Sequence, residues 1–211
     1  MRHPDKSTTI FLFLSFLMIL SGGEAFCGWE VQETGTTEFL TDICFVDAEH
    51  GWAVGHNSTI IRTTNGGETW EKVDFPDEGI SYKFQRVEFV NPQIGYLIGQ
   101  SHDAEKSAYK PTLLVTMDGG VTWEDRTPTN EAYGTTGSLH GLAVIDENTC
   151  YVTANIGGFG SILRTRDGGK TWDINQYTSI NSFWGIDFCD KETGWAMNIG
   201  WVIDAYGGSN L

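Results

Sequence analysis

Basic residues are scarce in this 211-residue chain: 13 Lys and Arg stand against 28 Asp and Glu, a formal net charge of −15. A surface of that sign repels phosphate backbones and anionic lipid, so nucleic acid is excluded as a partner class. Proline is rare too, with 5 scattered residues, and no segment has the composition of a linker. Cysteine is limited to Cys27, Cys44, Cys150 and Cys189, with no CxxC pair to hold a structural zinc. In an oxidising compartment these four allow two disulfides in any of three pairings; Cys44 and Cys150 fall in strand-like runs and are expected as buried thiols. No stretch has helical periodicity. The single long apolar run, residues 10–20 (IFLFLSFLMIL), is too short to span a bilayer comfortably. With Arg2 and Lys6 before it and Ser-Gly-Gly-Glu-Ala after it, residues 1–25 read as a secretory signal peptide cut after Ala25. Phe26 stands where a lipobox ahead of Cys27 needs a small residue, so residues 26–211 are expected as a soluble exported domain.

What the chain does have is glycine (26) and tryptophan (8), arranged in a phrase that occurs three times. Residues 63–70 read TTNGGETW, 116–123 TMDGGVTW and 165–172 TRDGGKTW. Asn65, Asp118 and Asp167 can bond the turn backbone through their side chains, while Gly67, Gly120 and Gly169 supply positive φ. Thr63, Thr116 and Thr165 open each turn, and Trp70, Trp123 and Trp172 close it with a large apolar ring whose N–H seeks a partner. An Asp in a Gly-rich turn needs no further role, so these residues are expected to be structural rather than catalytic or metal-binding.

Self-similarity at about 50 residues marks a repeat architecture. Four strand-like pieces fit each repeat, over residues 41–74, 85–127 and 139–177, and a fourth repeat begins at 183 and runs to 206. Alternation is clear in the leading strands, where Ile43/Phe45, Val87/Phe89, Leu142/Val144 and Ile186/Phe188 match. The fold class expected is all-β: a β-propeller of four-stranded antiparallel blades with about four blades present. Two closures are open at this point. A strand over 28–33 can complete the fourth blade and pin a ring shut, or the chain forms an arc of a larger propeller.

The phrase resembles the Asp-box (BNR) motif S/T-x-D-x-G-x-T-W, with Asn65 the one departure from Asp. Together with GWAVG at 51–55 it is similar to the photosystem II stability/assembly factor-like family, a resemblance that covers roughly residues 28–206. That implies an exported, non-catalytic propeller without cofactor or metal. Its partner would be another protein, membrane-associated or not, in the periplasm or outside the cell. Members serving photosystem II present a basic patch to their client, and this chain lacks an Arg cluster. The alternative is an Asp-box glycoside hydrolase, sialidase- or xyloglucanase-like, or a glycan-binding propeller. A sialidase needs an arginine triad and an Arg-Ile-Pro phrase, which are missing, and no spacing pairs two carboxylates across a cleft. Non-repeating residues at repeating positions are the candidates for binding: Arg86, His140 and Trp184 at the starts of inner strands, with Tyr82, Lys83, Tyr109 and Tyr133 on adjacent loops.

Overall fold

The computed structural model describes residues 28–76, 79–103, 108–128, 137–178, 180–198 and 201–205. The expected signal peptide lies outside the described residues, as do Cys27 and Tyr133. The chain divides into two units, 1–31 and 32–211. Of the first, residues 28–31 are described and form no strand. All described strands lie in the second unit.

The first sheet pairs β1 (Leu40–Phe45), β2 (Gly51–Gly55), β3 (Ile60–Thr63) and β4 (Glu71–Lys72) in sequence order. The second pairs β5 (Ile80–Phe89), β6 (Gly95–Asp103), β7 (Ala108–Thr116) and β8 (Glu124–Asp125). β9 (Gly137–Val144), β10 (Cys150–Ile156), β11 (Phe159–Thr165) and β12 (Asp173–Tyr177) make the third. Among the described residues the fourth has three strands, β13 (Gly185–Phe188), β14 (Gly194–Asn198) and β15 (Trp201–Ala205). Every pairing is antiparallel. Inner strands of successive sheets run side by side, β1 with β5, β5 with β9 and β9 with β13. Among the described residues the sheets do not close into a ring.

One expectation is therefore corrected. Residues 28–33 form no strand, and among the described residues β15 pairs with β14 alone. A short edge segment has one ladder to gain, and Gln32 is engaged elsewhere: its Oε1 accepts from Trp70 Nε1 at 3.4 Å, beside the first box. In the second sheet β6 runs to Asp103 and β7 starts at Ala108, with His102 opposite Tyr109 in register and their rings 4.5 Å apart. Similarly, 155–160 is a hairpin whose tight turn, Gly157-Gly158, has both φ values positive at 61° and 90°.

The Gly-aromatic pair that opens the middle strands explains how the sheets stack. Phe89 pairs with Gly95, and a Cβ on Gly95 would fall 2.6 Å from the Phe89 ring carbons. The same holds for Phe45 on Gly51 and Phe188 on Gly194. Glycine thus lets a phenyl ring lie flat across the neighbouring strand. The next residue points to the other face, towards the following sheet. Trp52, 2% exposed, stacks on Phe89 at 3.6 Å between centroids and 8° between planes, and its Nε1 donates to Gly119 O at 3.0 Å. Tyr96 is fully buried and donates to Glu147 O at 3.0 Å, and the Tyr151 ring sits 4.5 Å from Phe188. The core consists of these three seams between sheets.

Candidate functional site

The three boxes lie at the outer rim and share one hydrogen-bond pattern. In the third, Gly169 N donates to Thr165 Oγ1 at 2.8 Å, Thr165 Oγ1 to Asp167 Oδ1 at 2.9 Å, and Thr171 N to Asp167 Oδ1 at 2.8 Å. The second repeats it through Thr116, Asp118, Gly120 and Thr122. The first repeats it with Asn65, whose Nδ2 donates to Thr69 Oγ1 at 2.9 Å where the other boxes have the hydroxyl donating to Asp. Gly67, Gly120 and Gly169 hold φ of 89°, 86° and 87°. These bonds to its ionised form hold the Asp167 carboxyl down at about 2, the Thr171 hydroxyl contributing most. Trp123 and Trp172 donate to Gly120 O and Gly169 O at 3.1 Å each. The box Trp residues are half-buried rather than the deeply buried anchors their size suggests. The deep anchors are Trp52 and Tyr96, which the recurrence of an aromatic after the strand-opening Gly could have revealed.

The inner strands carry a different feature. Ladder register skips Thr41 in β1, Gln85 in β5 and His140 in β9, so each is a β-bulge at the same repeat position. Bulges bend a strand and re-aim side chains, and they gather beside functional sites. Thr41 spends its hydroxyl on the next sheet, donating to Phe84 O at 2.8 Å. Its counterpart His140 bonds Ser138 Oγ through Nε2 at 2.8 Å and meets the Trp184 ring at 4.4 Å. Partial burial pushes the His140 pKa down, favouring the neutral imidazole. Trp184, half-exposed, begins the fourth repeat and ties back through its backbone N–H to Met197 O at 2.8 Å.

Of the residues singled out in the sequence, the structure brings together His140 and Trp184, and separately Lys83 and Tyr109, with the Lys83 ammonium 5.8 Å from the Tyr109 ring centre. Tyr82 stacks on Phe84 and meets Phe75 edge-on. Arg86 lines a groove of about 390 Å³ with Asp42, Cys44, Phe45, Glu88 and Leu142. Tyr133 lies outside the described residues.

Sequence reasoning did not single out Glu88. Its Oε2 accepts from Val144 N at 3.1 Å across the seam between the second and third sheets, just as Cys44 Sγ accepts from Phe89 N at 3.4 Å one seam earlier. Burial, with Asp187 and Asp42 nearby, pushes its pKa up to about 7 although the Val144 N–H opposes the shift. Cys44, Cys150 and Cys189 are free thiols, with Cys150 fully buried.

Comparison with known proteins follows the same lines. The family described as photosynthesis system II assembly factor YCF48 matches residues 24–124. Photosystem II stability/assembly factor HCF136 of Oryza sativa is 37% identical over 130 residues, covering 56% of this chain and 29% of that protein. Photosystem II assembly protein Ycf48 of Thermosynechococcus vestitus is 31% identical over 144 residues, covering 68% of this chain and 37% of that one. Against these two the chain spans well under half the relative's length. The solved structure of YCF48 bound to D1 peptide superposes with a TM-score of 0.60 at 25% identity, over 86% of this chain and 57% of that one. Repeat phrase, sheet order and these likenesses identify the chain as an Asp-box (BNR) repeat β-propeller, most like the photosystem II stability/assembly factor-like family.

Proposed function

We propose that this chain is a non-catalytic propeller that binds another protein and acts as an assembly factor, with a segment of a membrane-associated subunit as its client. The likeness in both fold and sequence to YCF48 bound to a D1 peptide carries this reading. The domain works outside the cytoplasm, secreted or periplasmic, after removal of residues 1–25 from the propeller at 26–211. Arg86, His140, Trp184, Tyr82, Lys83, Tyr109 and Tyr133 form its binding surface. The tilted His140–Trp184 pair offers a flat, partly exposed aromatic shelf, and the bulge at His140 fixes its direction. Lys83 and Arg86 supply positive charge on a chain that is otherwise acidic.

A glycosidase needs two free carboxylates facing across a cleft. Glu88, the carboxyl with the raised pKa, is instead tied to Val144 N–H between sheets. The tryptophans that a sugar-binding reading would recruit are engaged in the fold at Trp52, Trp123 and Trp172.

The test is fluorescence anisotropy of a labelled D1 peptide titrated with the full chain, alongside a xyloglucan hydrolysis assay. Binding that weakens about tenfold or more in Trp184→Ala and His140→Ala, at unchanged melting temperature, supports the reading. Hydrolysis without peptide binding, or an affinity indifferent to both substitutions, overturns it.

A further inference from the structure

The turn between β2 and β3 keeps side chains where the backbone favours glycine. Among the described residues Asn57 and Ser58 are the only non-glycine positions with positive φ, at 52° and 57°. They are the central residues of that turn, which Thr59 N closes by donating to His56 O at 3.1 Å. In the left-handed region a Cβ crowds the following carbonyl, so hairpin turns of this kind select glycine, with Asn the best tolerated substitute. The corresponding turn of the third sheet does use Gly157-Gly158. A serine at 58 therefore strains the chain, and such strain persists only where the surroundings hold it in place.

What holds Ser58 is the second sheet. The residue is buried and bonds Tyr82 of β5 twice: its N–H donates to Tyr82 O at 2.9 Å, and its Oγ accepts from Tyr82 N at 3.2 Å. Glycine would supply the first bond but not the second. Both matter to β5 because that strand runs on past its bulge. Ahead of Gln85 it has five residues paired with β6, Ile80–Phe84, where β1 has only Leu40 ahead of Thr41. β5 is the first strand of its sheet, so the edge away from β6 has no neighbouring strand there. Ser58 gives that edge one donor and one acceptor. Asn57 holds the turn on its other side, Nδ2 donating to Glu38 Oε2 at 2.6 Å ahead of β1.

We propose that Ser58 is a positioning residue for the binding surface: it anchors the β5 extension that carries Tyr82 and Lys83, so that both meet a partner in a fixed direction. The inference rests on the peptide-binding reading. Contacts within the second sheet and its approach already orient the side chains, since the Tyr82 ring stacks on Phe84 at 5.6 Å and meets Phe75 edge-on at 5.0 Å, while Lys83 lies over Tyr109. They do not fix the extension against the first sheet. The paired bonds from Ser58 do that, and a surface ordered in advance avoids the entropy cost of ordering it on binding. The strained turn is thus retained for the side-chain oxygen that glycine lacks.

Two glycine substitutions in the full chain separate positioning from turn stability. Ser58→Gly and Asn57→Gly each relieve one left-handed residue, but only the first removes the acceptor of Tyr82 N–H. Amide hydrogen exchange is expected to show Tyr82 losing protection in Ser58→Gly and keeping it in Asn57→Gly. In fluorescence anisotropy with the labelled D1 peptide, affinity is expected to weaken about threefold or more in Ser58→Gly and to stay unchanged in Asn57→Gly, with both variants folded by circular dichroism. Equal losses in the two variants overturn the proposal, and so does either readout indifferent to Ser58→Gly. A wild-type chain that binds no peptide refutes the functional reading and this proposal with it, whereas wild-type binding that survives Ser58→Gly refutes the positioning role alone.

Discussion

Glu88→Gln should stabilise the protein at alkaline pH and leave it unchanged in acid. Glu88 is partly buried at a seam with its Oε2 on Val144 N–H, and burial, aided by Asp187 and Asp42, raises its pKa from 4.5 to about 7. A carboxyl whose pKa is higher folded than unfolded holds its proton longer in the native state. The stability this confers is fully present below 4.5 and is lost as the pH rises through 7. Each pKa unit is worth about 1.4 kcal/mol, so ionising Glu88 costs up to about 3 kcal/mol between those limits. Glutamine keeps an acceptor for Val144 N–H and never ionises. Urea denaturation of both proteins at intervals from acid to alkaline pH reads the effect as a difference, in which His140 and the remaining groups largely cancel. The two should converge in acid and separate through neutrality. The variant should then melt higher in mild alkali by several degrees, at about 2–4 °C per kcal/mol for a domain of this size. Parallel stability curves across the whole range would refute the burial argument.

Three further expectations test the scaffold. Asp167→Ala should lower the melting temperature by removing the acceptor of the Thr165 and Thr171 bonds, whereas Asp167→Asn should be tolerated as Asn65 is, and should also remove the loss of stability that occurs as the pH falls from 3.8 through about 2. Trp52→Ala should cost about 3–5 kcal/mol by urea denaturation, and Trp172→Ala distinctly less, because only the former ring is fully buried in a seam. Gly141→Ala should destabilise by about 1–3 kcal/mol, since the added Cβ would fall 2.7 Å from Thr153 Oγ1 and 3.1 Å from Ile186 N where β9 and β13 approach; a thermal shift within error of zero would contradict this.

The sheets were legible because their signals are local. A box of Thr, Asp, two Gly and Trp states its own turn within eight residues, and alternation such as Ile43/Phe45 states a half-buried strand without reference to its neighbours. The 28–33 segment shows where that reasoning stops. Trp29 and Val31 alternate as convincingly as Ile43 and Phe45, but a strand also needs a ladder partner, and periodicity carries no information about which edge is vacant. The bulges at Thr41, Gln85 and His140 were hidden for a related reason. A bulge is a mismatch between two strands, so no single strand shows it, yet it decides that His140 meets Trp184.

Glu88 and Cys44 complete the point. They occupy one repeat position and do one job, each accepting an N–H from the next inner strand, although one is a carboxylate and the other a thiol. Ala143, at the same position, has no acceptor to offer, and Phe188 N turns to Asp187 Oδ1 at 2.9 Å instead. Sequence comparison of the repeats finds no common residue there and reads variation as freedom for function. The structure shows a fixed demand, an acceptor at each seam, met by different chemistry each time. Non-repeating residues at repeating positions therefore differ in what they face: Glu88 faces the next sheet's backbone, while His140 and Trp184 face each other at a partly exposed surface, the one proposed above to bind a partner.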